Sequence, residues 1–141
     1  MHITVQNLIN IEKQIKSNLI NLKEVRVPKI IAVSKTFQLD KILPLIEHGH
    51  QDFGENKVQE AIDKWSSTKE KISDIQLHMI GKLQTNKVKF AVKLFDYIHT
   101  VDSEKLAKKI ALEQEKINKK IKIFIQVNIG NEYQKSGINK Q

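Results

Sequence analysis

Apolar residues recur along this chain in two alternating periods. Leu8, Ile11, Ile15, Leu19 and Leu22 fall at three- and four-residue steps within residues 4–22, which predicts one stripe of an amphipathic helix packed on the body of the molecule. Val27 and Pro28 end that stripe, because the residue before a proline is driven out of the helical conformation. The run at residues 29–33 is continuous and β-branched, with no polar alternation, as in a strand covered on both faces within a parallel sheet. It stops abruptly in Ser34, Lys35 and Thr36.

The same alternation then repeats. Leu39, Ile42, Leu43 and Ile46 define a second helical face, with Asp40 as its expected cap, Gly49 as its stop and Pro44 near its first turn. Residues 51–56 read as a short strand and turn, and Val58, Ala61, Ile62 and Trp65 as the helix after it. A third strand at residues 75–81 precedes a helix carrying Val88, Ala91 and Val92. A fourth, at residues 97–101, precedes a helix capped by Asp102 or Ser103, with Leu106, Ile110 and Ile117 turned inward. Residues 121–129 form the fifth strand, and residues 130–141 read as a polar loop or incipient helix. Strands alternating with helices predict right-handed parallel crossovers and an α/β fold, either an open doubly wound sheet or a closed barrel. No linker or low-complexity tract divides the chain, so residues 1–141 read as one domain.

Composition narrows the chemistry. The 141 residues contain no cysteine, which excludes disulfides, thiolate catalysis and cysteine metal sites. No segment is long and apolar enough to cross a bilayer and no signal peptide is evident, so the expectation is a soluble cytoplasmic protein without a membrane partner. The formal charge of +8 comes from lysines scattered over the helices among acidic residues. With no aromatic-basic interleaving or RNA motif, that charge reads as a solvated surface rather than a nucleic-acid interface.

Polar residues collect at consecutive strand ends: Ser34, Lys35 and Thr36, then Gly54, Glu55 and Asn56, then His78, Gly81, Gln84 and Asn86, then His99, Thr100 and Asp102, and finally Asn128. Each has a structural reading of its own: Glu55 and Asn56 could start a helix, Asp102 could cap one, and His78 and His99 suit hydrogen-bonded structural roles better than metal ligation. Their recurrence at one end of the strands carries more weight, because strand ends converge on one mouth in a barrel. Lys35 supplies the sharpest chemistry. A lysine amine beside apolar walls can lose its proton and condense with an aldehyde such as that of pyridoxal phosphate. No GxSxG or GxxxxGK[ST] motif points instead to a triad hydrolase or a P-loop enzyme.

Taken together, AVSKT at residues 32–36, FGEN at 53–56, HMIGKLQTNK at 78–87, HTVDS at 99–103 and QVNIGNEYQKSG at 126–137 resemble the pyridoxal phosphate homeostasis protein family. That family is similar to the barrel domain of alanine racemase and other fold type III pyridoxal phosphate proteins. The resemblance implies a TIM-type (β/α) barrel, incomplete here at about five parallel strands with an extra N-terminal helix. It further implies that Lys35 forms the internal aldimine, that Asn56 lies near the cofactor, and that Met79, Ile80 and Gly81 line the site. The implied activity is cofactor binding, with buffering or delivery to pyridoxal-dependent apoenzymes and no catalytic turnover. A racemase-like enzyme is the alternative, disfavoured by the absence of the second domain that supplies an opposing base, and a non-functional fragment is another.

A complete barrel of this kind has eight strands and about 250 residues. The family's later strands supply the serine-containing and Gly-Thr turns that hold the cofactor phosphate, and neither segment is found in these residues. A split gene, a degenerate reading frame and deliberate shortening all fit that departure. Weakened cofactor retention is expected, together with self-association through open edges at residues 30–33 and 121–129.

Overall fold

A computed structural model describes residues 1–139. Its elements in chain order are α1 (Ile3–Leu22), β1 (Ala32–Val33), α2 (Leu39–Glu47), β2 (Asp52–Glu55), α3 (Val58–Lys71), β3 (Gln76–Met79), α4 (Val88–Leu94), β4 (Tyr97–Val101), α5 (Glu104–Lys116) and β5 (Lys122–Ile125). Two short strands follow, β6 (Val127–Asn128) and β7 (Ile138–Asn139). The first five strands form one sheet in the order β1-β2-β3-β4-β5, every pair parallel. Consecutive strands are neighbours, so the sheet winds in one direction as barrel staves do, without the reversal of strand order that marks a doubly wound sheet. The α/β class and the partial TIM-type arrangement are thus as the strand pattern and the resemblance indicated.

The two faces of the sheet have different chemistry. Phe53, Leu77, Met79 and Ile98 point toward the helices and join Trp65, Ala61, Val88, Val92 and Leu106 in one apolar core. Phe53 packs on Trp65 of α3 with ring centroids 4.9 Å apart. Alternation along each strand sends Asp52, Gly54, His78, Tyr97 and His99 to the opposite face. There His78 Nε2 meets the Asp52 carboxylate at 2.8 Å and His78 Nδ1 meets His99 Nε2 at 2.8 Å. Tyr97 stacks on the His78 ring at 4.2 Å, and Phe124 of β5 stacks on His99 at 4.7 Å.

Several boundaries differ from the sequence expectation, each for a local reason. The run at residues 29–36 contributes only two strand residues, at a sheet edge, and Val33 is 51% exposed. Among the described residues its strand neighbour is β2, and the exposure of Val33 leaves the expected doubly covered strand open on one face. The fifth strand ends at Ile125 rather than residue 129, and Val127–Asn128 pairs instead with Ile138–Asn139 in a separate parallel ladder. Residues 130–139 therefore contain a strand as well as a loop. Helix α2 starts at Leu39, which places Asp40 in the first turn rather than at the cap and Pro44 inside the helix. Gly49 ends the chain's path from α2 at φ +97°, a conformation that disfavours residues with a Cβ. Ser103 is the N-cap of α5, accepting from Leu106 N–H, while Ile117 caps the other end and is exposed. Helix α1 buries Val5 and Leu8, whereas Ile11 and Leu22 of its stripe are exposed.

Candidate functional site at the strand ends

Four strand ends are joined by hydrogen bonds that run sideways across the sheet. At the end of β1, Ser34 is buried; its N–H donates to the Gly54 carbonyl at 2.9 Å and its hydroxyl to Glu55 Oε1 at 2.8 Å. The same Glu55 oxygen accepts from Trp65 Nε1 and from Lys64 Nζ, each at 2.8 Å. Glu55 is fully buried, so its charge is offset by the Lys64 ammonium rather than by water. Glu55 therefore closes β2 as an internal polar tie; the helix-starting reading does not hold.

Lys35 follows in a turn and is exposed. Its neighbour Thr36 adopts φ +67°, and the Thr36 N–H donates to Glu60 Oε1 of α3 at 3.0 Å. At the next strand end, Asn56 keeps its side-chain Oδ1 buried without a hydrogen-bond partner among the described residues. Gly81, after β3, lies directly against the Asn56 backbone: a Cβ there would stand 2.7 Å from Asn56 Cβ and 2.8 Å from its Cα. The Gly81 carbonyl in turn accepts from the Thr100 hydroxyl of β4 at 2.7 Å. Ile80 reaches the sheet face opposite the helices, beside Gly54 and Ile31. Met79 does not share that direction; its side chain is buried in the helix-facing core and borders a cavity of about 310 Å³ with Asn56, Leu83 and Lys87.

The sequence-predicted residues thus separate into two groups. Asn56, Ile80 and Gly81 are brought together at the ends of β2 and β3, and Ser34 and Glu55 tie Lys35's strand to them. Asn128 lies outside the five-stranded sheet, where its side chain exchanges hydrogen bonds with the Glu132 backbone. Asp52, Tyr97, Lys29, Glu60 and Lys64 were not singled out by the strand-end pattern. The Glu60 and Lys64 spacing of four on α3, opposite the polar end of a strand, was the available signal.

Charge is also distributed deliberately on the sheet face opposite the helices. Burial pushes the His78 pKa below its ordinary value despite the hydrogen bond and charge of Asp52, and burial with the nearby His78 does the same to His99. For Lys29, burial acts to lower the pKa, but the Asp52 carboxylate, 3.4 Å away, and Tyr97 outweigh it, and the net direction is up. Both histidines are thus held toward their neutral forms beside a persistent cation. Neutral imidazoles share the single proton each bond requires, which explains how two rings can meet at 2.8 Å.

Residues 11–141 match the family described as alanine racemase, N-terminal domain. The chain belongs to that family. It is 44% identical over 124 residues to the pyridoxal phosphate homeostasis protein of Buchnera aphidicola subsp. Schizaphis graminum, an overlap that covers 88% of this chain and 52% of that one. Among solved structures it resembles PipY of Synechococcus elongatus PCC7942, determined without and with PLP. The form without PLP superposes at a TM-score of 0.74 with 36% identity, covering 88% of this chain and 58% of PipY. The PLP-bound form gives 0.71 and 35%, covering 88% and 57%. The chain spans about half to three fifths of the length of the curated relatives it matches. No helix among the described residues is long and apolar enough to cross a membrane.

Proposed function

We propose that this chain binds pyridoxal 5'-phosphate through Lys35 and serves intracellular homeostasis of that cofactor, in the cytoplasm and without catalytic turnover. The observation that carries the reading is an exposed lysine and an unpartnered buried amide oxygen that lie in register at adjacent strand ends. Lys35 and Asn56 each lie two residues beyond the paired Val33 and Gly54, and Asn56 Oδ1 is buried with no partner among the described residues. An orphaned amide oxygen is costly unless a ligand or water completes it, so this atom suits a ligand that carries a hydrogen-bond donor. Gly81 fits as well, since its missing side chain lets the β3 end close on Asn56.

When bound, the cofactor supplies an aldehyde carbon to which an unprotonated amine nitrogen bonds, the carbonyl oxygen leaving as water. This chain's residues do the rest. Lys35 furnishes the amine, Asn56 Oδ1 accepts a hydrogen bond from the ligand, and Ile80 offers an apolar contact at the end of the neighbouring strand. The relative of known structure that was solved with PLP, and the homeostasis description of the relatives, support cofactor handling over amino-acid conversion. Pyridoxal-dependent apoenzymes are the expected recipients of the released cofactor.

Titration of the chain with pyridoxal phosphate, followed by its absorbance, tests the reading. A saturable spectral change that Lys35→Ala abolishes and Asn56→Ala weakens is expected. A change of equal size in Lys35→Ala would show that the cofactor is held elsewhere. Exchange of an amino acid's α-proton into deuterated solvent by the loaded chain would replace the non-catalytic reading with a racemase-like one.

A further inference from the structure

We propose that Glu60 and Lys64 of α3 are positioning residues for Lys35, fixing the peptide on each side of it; the role rests on the lysine reading above. The strand ladder cannot do this work, because β1 ends at Val33 and its last bond to β2 is Ser34 N–H to the Gly54 carbonyl. Beyond that point one turn bond remains, from Phe37 N–H to the Ser34 carbonyl at 3.2 Å, and side chains of a helix hold the peptides between. Lys64 Nζ donates to the Ser34 carbonyl at 2.8 Å, on the N-terminal side of Lys35. Glu60 Oε1 accepts from Thr36 N–H at 3.0 Å, on the C-terminal side. The spacing of four places both side chains on one face of α3, and their charged ends approach to 3.9 Å.

Packing alone would not select this arrangement. The Lys64 side chain is only 7% exposed, and a buried ammonium is destabilising unless its donors are all used. Here they donate to Glu55 and the Ser34 carbonyl, with the Glu60 carboxylate 3.9 Å away as a further counter-charge. Thr36, a β-branched residue, is held at φ +67°, a left-handed conformation that such residues avoid without outside support. The Glu60 hydrogen bond adds that support to the turn bond from Phe37 N–H to the Ser34 carbonyl. The consequence is directional: with both flanking peptides fixed, the Lys35 Cα–Cβ bond has one orientation, and its amine searches a smaller volume at the strand ends.

Two measurements on the full chain test this. In the cofactor-free protein the Thr36 amide is expected to exchange slowly with solvent, and Glu60→Ala to speed it about tenfold, the factor one charge-assisted hydrogen bond represents. Glu60→Gln keeps a side-chain oxygen acceptor and is expected to restore slow exchange. Borohydride trapping with pyridoxal phosphate, read by peptide mass spectrometry, then gives the share of label on Lys35 against the other lysines. That share is expected to fall about tenfold in Glu60→Ala, return in Glu60→Gln, and leave labelling of the remaining lysines unchanged. Glu60 is partly exposed, so its truncation leaves the core intact, which circular dichroism verifies. Fast Thr36 exchange in the unmutated chain, or an unchanged Lys35 share in Glu60→Ala, overturns the positioning role and leaves the lysine reading standing. An unmutated chain that carries no label on Lys35 overturns both.

Discussion

Gly81 and Asn56 are in backbone contact, with the position a Gly81 Cβ would occupy only 2.8 Å from Asn56 Cα. The second residue after β3 must therefore lack a side chain for the ends of β2 and β3 to close. Gly81→Ala is expected to destabilise the chain by about 1–3 kcal/mol, the usual cost of overpacking, because the obstacle is backbone and cannot swing aside. Urea denaturation measures it. A variant as stable as the parent would mean that the two strand ends separate easily.

Glu55 gives a second prediction. Its single engaged oxygen gathers Ser34, Lys64 and Trp65, so Glu55→Ala strands a buried ammonium and an indole N–H at once. Breaking a buried pair from one side typically costs about 3–5 kcal/mol, and a loss in that range is expected in urea denaturation. The paired change Glu55→Leu with Lys64→Met should recover much of it, since neither charge is then left alone.

Stability should also fall on mild acidification. His78 and His99 have folded-state pKa values below their ordinary value of about 6.5, so the unfolded chain takes up protons first as pH falls. Their contribution is fully present above that ordinary pKa and is lost as pH drops from it toward the depressed folded values. Lys29 adds nothing in this window because its pKa moves up, away from neutrality. Thermal unfolding followed between pH 7.5 and 5 checks the slope, which His99→Gln should reduce.

The open sheet edge leads to a prediction about association. Phe124 and Ile125 of β5 are 52% and 65% exposed, and Val33 at the other edge is 51% exposed. Exposed apolar strand edges pair with other chains, so the 141-residue chain is expected to associate with rising concentration in sedimentation experiments. Ile125→Lys should weaken that association. A monomer at every concentration would show that these edges are shielded in solution.

Much of this was legible in the sequence because strands and helices alternate with strong periodicity and the polar residues recur at strand ends. Ser34, Asn56 and Gly81 could be placed together from order alone. The length of β1 could not, since a β-branched run records a preference for extended structure and says nothing of whether a neighbour lies on each side. Residues 138–139 were missed as a strand because two residues carry no period. Glu60 and Lys64 looked like an ordinary helix-surface pair; their reach to the peptides beside Lys35 depends on how α3 packs over β1 and β2, which is a tertiary fact.

The central claim is that Lys35 is the residue to which the cofactor attaches. The most direct measurement is borohydride reduction of the chain with one equivalent of pyridoxal phosphate, followed by intact-mass and peptide analysis. The account predicts one reduced adduct per chain, concentrated on Lys35 and lost in Lys35→Ala. An adduct spread evenly over the surface lysines, and unchanged in Lys35→Ala, would contradict it.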